Sequence, residues 1–381
     1  MKVYLRRGRH NLYTYIVDYP PKGVEYIVPP KPTISKSSRF DSLKRFAYLH
    51  AHTLFKEPLK IPITTDAELV HSAGGMIPVT NKPWILGYVE HIGDFVGFTK
   101  GWLARARDPV YHRKIEKALS GEQCKGIITY ADAGKRTLER TLDISRFEEK
   151  LSTINIAVPL NAPAKRQETG MTRFFFMGSM NFPHNFEIKG GREVIHAFKR
   201  MHETNPDTEL IIRSAIPDYL KKEVEHDAIR VISAPLSWSK LSELFMQTHV
   251  FVQPNYLSAA TAPIEAMSFG LPLITARVGS NPEIVAHKKN GLLFDAPTLP
   301  YYDDDLIPRY EHMLDYAADI RNHSFDEETA QIEACMILMA ERPQKRKAMA
   351  QDAHASVEHG KFSIGVRNKT LKALYNAALD V

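Results

Sequence analysis

The sequence predicts an α/β protein built as two domains, each around a parallel sheet. Three observations lead there. The chain has 381 residues, more than one ordinary core holds and suited to two. Short apolar runs alternate with longer amphipathic segments through most of the second half, and strand-then-helix repetition implies a parallel sheet with helices on both faces. The runs are continuous rather than alternating, as in RFFFMG at 173–178, which is how strands buried on both faces read.

In the first half, MKVYL (1–5), ELVHS (68–72), WILGYV (84–89), GIITY (126–130) and TINIAV (153–158) read as strands. The stretches 37–56, PVYHRKIEKALS (109–120) and DAGKRTLERTL (132–142) carry helical spacing. The polar stretch NAPAKRQETG (161–170), with Pro163 and Gly170, reads as the interdomain linker. In the second half the strands are RFFFMG, ELIIRS (209–214), IRVIS (229–233), HVFVQP (249–254), LPLITA (271–276) and GLLFD (291–295). Between them, helices are expected over 191–203, 216–226, 237–247, 262–270 and 281–289, and the chain reads as helical from 295 to its end. The last segment places Leu371, Leu374, Tyr375, Ala378 and Leu379 on one face, so it packs against something. The expected domains are 1–165 and 166–355, with 356–381 as a terminal helix.

Composition bounds the function. Charged residues are 25% of the chain and the formal net charge is +6. That excess is modest for the length. With no nucleic-acid-binding motif beside it, it argues against a nucleic-acid partner. Cys124 and Cys335 are the two cysteines, far apart and outside any CxxC, which suggests neither a zinc site nor a disulfide framework. No signal-peptide pattern opens the chain and no run of eighteen apolar residues occurs, so a cytoplasmic protein is expected. Segments 6–10, 36–46 and 104–114 are rich in Lys and Arg, and Phe40, Leu43 and Phe46 share one helical face. That pattern suits a core-facing helix with a solvated basic side, or peripheral contact with an anionic inner membrane face.

Ligands of open parallel sheets bind beyond the carboxyl ends of the strands. The loop after RFFFMG holds Gly178 and Ser179, then Lys189, Gly190 and Gly191 ahead of a helix. Glycines allow close backbone approach, a helix N-terminus favours an anion, and lysine supplies a charge for phosphate. A plain helix start with a solvated lysine reads the same way. After HVFVQP, the small residues Ser258, Ala259, Ala260, Thr261 and Ala262 would expose amides at the start of a helix bearing Glu265. That carboxylate can accept hydrogen bonds from a diol such as ribose, or it can sit in the first turn for the helix dipole alone.

The blocks FFFMGSMNFPHNFEIKGGREVIHAF, IRVISAPLSWSKLSELFMQTHVFVQPN and APIEAMSFGLPLITARVGSNPEIVAHKKNGLLFD, spanning 174–295, resemble the donor-binding half of family 4 glycosyltransferases with the GT-B fold. HGKFSIGVRNKTLKALYNAAL (359–379) is similar to that family's last helix, which crosses back to the N-terminal domain. More weakly, 124–161 resembles the end of the acceptor domain, and WILGYVEHIGDF (84–95) its histidine-bearing strand and loop. The resemblance implies two Rossmann-like domains facing across a cleft. It implies retaining transfer from a nucleotide diphosphate sugar to a hydroxyl acceptor, such as a glycan, a lipid-linked sugar or a small molecule, with no metal and no other cofactor.

Carried over, Lys189 would hold the diphosphate, Glu265 the ribose, and the amides of Thr261 and its neighbours a phosphate or the sugar. His91 would face the donor sugar as the catalytic residue, and backbone from Ser233 and Ala234 to Pro235 would edge the base. The chain departs from the pattern at three places: Leu257 stands where the family has a first glutamate, Ser179 where it often has a basic residue, and RRGRHNLYTY (6–15) where it usually has a glycine-rich acceptor-side loop. Arg192 or Lys189 is the expected substitute for the second. These departures leave room for a weakly catalytic homologue that binds nucleotide sugar or a partner enzyme, and less so for another reaction on the same fold, such as epimerisation.

Overall fold

The computed structural model describes residues 1–8, 12–29, 53–163, 170–180, 182–258, 261–296 and 299–380. Residues 37–52 of the expected basic helix, with Phe40, Leu43 and Phe46, and most of the expected linker lie outside the described residues. The chain divides into two units. The first comprises Met1–Asn155, Tyr302–Glu311 and Arg367–Val381, and the second Ile156–Tyr301 and His312–Val366.

The first unit contains β1 (Lys2–Arg6), β2 (Glu25–Ile27), β3 (Lys60–Pro62), β4 (Leu69–Ala73), β5 (Ile77–Val79), β6 (Trp84–Gly87), β7 (Cys124–Thr129) and β8 (Leu151–Thr153). Six of these form a parallel sheet in the order β2-β1-β4-β6-β7-β8, and β3 pairs with β5. Every residue of β4 and β6 is buried, as expected of central parallel strands. Helix Pro109–Leu119 starts where the sequence signals it, with Pro109 at its first turn and the Asp108 carboxylate accepting from Val110 N. Only the first residue of TINIAV lies in a named strand, though Ile154 N still donates to Thr129 O and Val158 makes an isolated bridge to Ser363. The strand there is β8, and Ile154 to Val158 continue beyond it.

The second unit contains β9 (Thr172–Met177), β10 (Thr208–Arg213), β11 (Ile229–Ile232), β12 (Val250–Val252), β13 (Leu273–Ala276) and β14 (Gly291–Phe294). All six pair in parallel in the order β11-β10-β9-β12-β13-β14. The run Phe174-Phe175-Phe176 shows why its strands lack alternation. Phe175 meets Phe245 and Phe251 on one side, with centroids 5.4 and 5.8 Å away. Phe174 meets Phe198, and Phe176 meets Phe186, on the other. Both faces of β9 are therefore core, and each buried ring contributes roughly 2–3 kcal/mol.

Helices Gly191–Thr204, Trp238–Gln247 and Thr261–Ser268 occur as expected. Two expected helices shrink. From 216 to 226 only a 3-10 turn, Asp218–Leu220, forms, because Leu220 alone is buried there while Tyr219 stays exposed. From 281 to 289 there is one helical turn, Asn281–Ile284. Asn290 then captures Ala286 N and Ile284 O, and Lys288 takes a positive φ of 64°, turning the chain into β14.

The region after β14 is not continuously helical. Tyr302–Glu311 belongs to the first unit, where Trp102 Nε1 donates to Glu311 O at 2.8 Å and Arg107 pairs with Asp303 at 2.7 Å. Helices Met313–Asn322, Asp326–Glu341 and Pro343–Glu358 follow in the second unit. The last helix, Ile364–Leu379, joins the first unit from Arg367 onward. The Arg367 guanidinium donates to Tyr15 O and Tyr19 O, and Tyr375 is fully buried.

Candidate functional site

In the second unit, the sequence-selected residues gather at the carboxyl edge of the sheet. β9 ends at Met177, and Gly178 N donates to Arg213 O at 2.9 Å, so the ends of β9 and β10 stay in register. Gly178 is buried because Ser214 lies against it. A Cβ there would come within 2.0 Å of Ser214 Oγ. Ser179 O accepts from Ala215 N at 3.3 Å, and Ser179 Oγ accepts from Phe182 N at 3.1 Å. The hydroxyl of Ser179 thus accepts within its own loop and keeps its O–H to donate. Ser233 Oγ donates to Ser214 O at 3.0 Å, which ties the end of β11 to the same edge, and Ser233 and Ala234 are exposed beside it.

Lys189 ends the short helix Asn185–Ile188. Gly190 follows with φ 76°, and a Cβ there would meet Pro254 Cβ at 2.5 Å. Both the left-handed backbone and the contact require glycine. This close packing lets Lys189 O accept from Asn255 N at 3.2 Å and Ile188 O from Tyr256 N at 2.8 Å. The lysine loop is therefore fastened to the loop that leads to helix Thr261–Ser268. Asn281 completes the scaffold, with Nδ2 donating to Asn255 O and Ala276 O, both at 3.0 Å.

The Lys189 ammonium sits 3.5 Å from Met177 O, and no carboxylate pairs with it among the described residues. Burial, reinforced by the charge of Arg213, brings its pKa down to about 8. An ammonium held like this, without a counter-ion, is ready for an anionic ligand.

Glu265 is 5% exposed and lies in the second turn of its helix. The first-turn position that a helix-dipole role would need is not the one it occupies. Thr261 and Ala262 open that helix and are partly exposed, as is Ser258. Gly279, at φ 53°, admits Ser258, since a Cβ would reach Ser258 Oγ at 2.5 Å. Leu257 is half-buried and brings no polar side-chain atom to the loop.

Arg192 does not substitute for a basic residue at 179. Its guanidinium donates to Glu193 and to the carbonyls of Ile320, Arg321 and His323, which clips helix Gly191–Thr204 to the end of helix Met313–Asn322. A further cation stands at this edge: Arg213 at the end of β10, whose place in ELIIRS was visible in the sequence.

In the first unit, His91 is buried just beyond β6. Its Nδ1 accepts from Gly93 N at 3.0 Å, so the proton of the neutral ring is on Nε2. Glu90 and Asp94 do not pair with the ring. Asp94 Oδ2 accepts from the backbone N of Glu90 and His91, and Glu90 Oε1 accepts from Tyr130 OH. The ring stacks on Trp102 at 5.9 Å and meets the edges of Phe98 and Tyr302. Phe98 is 59% exposed, so one wall of this aromatic surround faces solvent. Among the described residues, no group of three His, Cys, Asp or Glu could hold a metal ion, and no helix is long and apolar enough to cross a membrane.

A family model described as "Glycosyl transferases group 1" matches residues 172–300, all within the second unit. The Bacillus subtilis (strain 168) protein YtcC, provisionally named a glycosyltransferase, is 28% identical over 127 residues, which cover 29% of this chain and 31% of that protein. The aligned part thus spans under a third of that relative.

Solved structures match far more of the chain. The sucrose-phosphate synthase of Thermosynechococcus elongatus aligns with a TM-score of 0.62 at 12% identity, covering 99% of this chain and 98% of that one. Anabaena Alr3699/HepE in complex with UDP-glucose aligns at 0.57 and 11%, covering 99% and 100%. WaaG, a glycosyltransferase involved in lipopolysaccharide biosynthesis, aligns at 0.57 and 14%, covering 98% and 99%. At such identities the likeness shows the fold, and the fold is GT-B.

Proposed function

We propose that the second unit binds the nucleoside diphosphate of a nucleotide sugar at the carboxyl edge of its sheet, and that the protein transfers the sugar, with retention, to a hydroxyl acceptor. The support is above all Lys189, a buried ammonium without a carboxylate partner among the described residues, fastened by backbone hydrogen bonds to the loop before Glu265. The family match over 172–300 and the relatives named as glycosyltransferases agree with it.

In this reading the sugar's bond to phosphate breaks and its bond to the acceptor oxygen forms. The acceptor proton offsets the negative charge gained by the departing diphosphate. Lys189 meets that charge as it develops, in a setting where water screens it little. The carboxylate of Glu265 accepts hydrogen bonds from the ribose hydroxyls, and the amides at Thr261 and Ala262 face phosphate or sugar. Ser258 and Gly178 leave room for close approach, and the backbone at Ser233 and Ala234 edges the base. His91, with its proton on Nε2, is a donor toward a sugar hydroxyl.

Leu257 in place of a carboxylate, and Ser179 in place of a basic residue, favour a second reading: a homologue that binds nucleotide sugar with little turnover. Calorimetry with UDP, GDP and ADP, followed by product analysis with the matching nucleotide sugars, tests both. Lys189→Ala is expected to weaken diphosphate binding by roughly 1.5–3 kcal/mol. Unchanged affinity in that variant would remove the diphosphate assignment, and binding without transfer to any offered acceptor would favour the second reading.

A further inference from the structure

We propose that Arg213 is a second phosphate-binding cation of this site, and that with Lys189 it makes the site select nucleoside diphosphates over monophosphates. The inference rests on the donor-site reading above and adds to it a residue that sets specificity.

Arg213 is the last residue of β10, and its Cα partner across the ladder is Met177, the last residue of β9. Lys189 Nζ reaches the carbonyl of that same Met177. Two cationic side chains therefore arise from one corner of the sheet edge, beside Gly178 and ahead of the loops that carry Ser179 and Ser214.

The other arginines of this sheet are accounted for. Arg173 and Arg230 both pair with Glu209, at 2.8 and 3.4 Å. Glu209 lies four residues before Arg213 on the same strand, roughly 13 Å away along it, and is occupied. Arg192 is held by Glu193 and three carbonyls. The side chain of Arg213 alone among these has no ion pair and no hydrogen bond among the described residues, and its Nε is buried without a partner.

A buried donor of this kind costs free energy until an acceptor arrives. Burial lowers the pKa of Arg213, and burial together with the charge of Arg213 lowers that of Lys189, so the two cations lie close enough for one to act on the other. One anion that touches both relieves both. A guanidinium presents a planar fork of donors that grips two oxygens at once, whereas an ammonium is a point charge. Two such groups side by side suit a ligand with two linked phosphates better than a ligand with one.

The experiment is calorimetry on the full chain with UDP and UMP, GDP and GMP, and ADP and AMP. It compares the unaltered protein, Arg213→Gln, Arg213→Lys and Lys189→Ala, each first shown by thermal melting to be folded. For whichever base binds, Arg213→Gln is expected to weaken the diphosphate about tenfold or more and the monophosphate at most about threefold, so that the preference for diphosphate collapses. Arg213→Lys is expected to restore part of that preference. An unchanged preference in Arg213→Gln overturns the inference, and so does an equal loss for both ligands, which would mark Arg213 as scaffold only. In either case the loss in Lys189→Ala would leave the donor site standing. If the unaltered protein bound no diphosphate, the donor-site reading itself would fail, and this inference with it.

Discussion

His71 Nδ1 and Tyr375 OH lie 2.6 Å apart in the buried centre of the first unit, 304 residues apart in sequence. Tyr375 OH also meets Tyr26 OH at 3.1 Å, so strands β2 and β4 and the last helix share one hydrogen-bonded chain. Burial lowers the pKa of His71 from 6.5 to about 4. The unfolded chain therefore binds more protons between those values, and stability rises with pH there. The expected outcome is a loss of about 3 kcal/mol as pH falls from 6.5 to 4, read by denaturant titration. His71→Phe should flatten that part of the curve. A variant that keeps the full slope would assign it to other groups.

Tyr375→Phe leaves the inward nitrogen of His71 without its partner. It is expected to cost about 1–3 kcal/mol while leaving nucleotide affinity within twofold, because Tyr375 and its partners belong to the first unit. Chemical denaturation together with calorimetry separates the two effects. A large loss of nucleotide affinity in a folded Tyr375→Phe protein would contradict a nucleoside diphosphate site confined to the second unit.

Nucleoside diphosphate affinity should fall on the alkaline side of neutrality. Lys189 titrates at about 8 in the free protein, and the ligand favours its charged form. Between pH 7 and pH 9 affinity is expected to fall about tenfold, above the range where a phosphate itself titrates, near about 6. Lys189→Ala should bind more weakly at pH 7 and show little of this alkaline decline. The same decline in that variant would point to another group.

Glu265→Gln keeps the shape of the side chain and removes its charge. It should weaken the free diphosphate and the whole nucleotide sugar equally, by roughly 1–3 kcal/mol. A loss confined to the nucleotide sugar would move Glu265 from the ribose to the transferred sugar.

Gly190→Ala places a Cβ 2.5 Å from Pro254 at a φ of 76°. The strain is expected to cost more than about 1 kcal/mol and to weaken diphosphate binding, because the contact that joins the Lys189 loop to the Asn255 loop must open. Thermal melting and calorimetry on the variant would show both changes. Gly170→Ala is the control, as it shares a positive φ but has nothing within 4 Å of the new Cβ.

Much of this molecule was legible in the sequence. The apolar runs became the strands of the second unit, because burial on both faces leaves a continuous local signature, as Phe174 to Phe176 show. Lys189 and Glu265 could be selected because strand ends and glycines mark loops, and the loops of a parallel sheet converge at one edge. The failures have physical causes too. The segment 216–226 has helical spacing but little to bury, and Tyr302–Glu311 leaves the second unit to pack with Trp102 and Arg107.

Which cations remain available for a ligand was decided by tertiary structure alone. Arg192 and Arg213 look equivalent in the sequence. One spends its donors on carbonyls more than a hundred residues away, while the other keeps a buried Nε without an acceptor. The protonation pattern of His91 likewise follows from the Gly93 amide lying 3.0 Å from Nδ1, not from its acidic neighbours. Strand and helix periodicity act between residues close along the chain, so the sequence carries them. Ion pairing and hydrogen bonding act through space, and only the folded chain determines which partners meet.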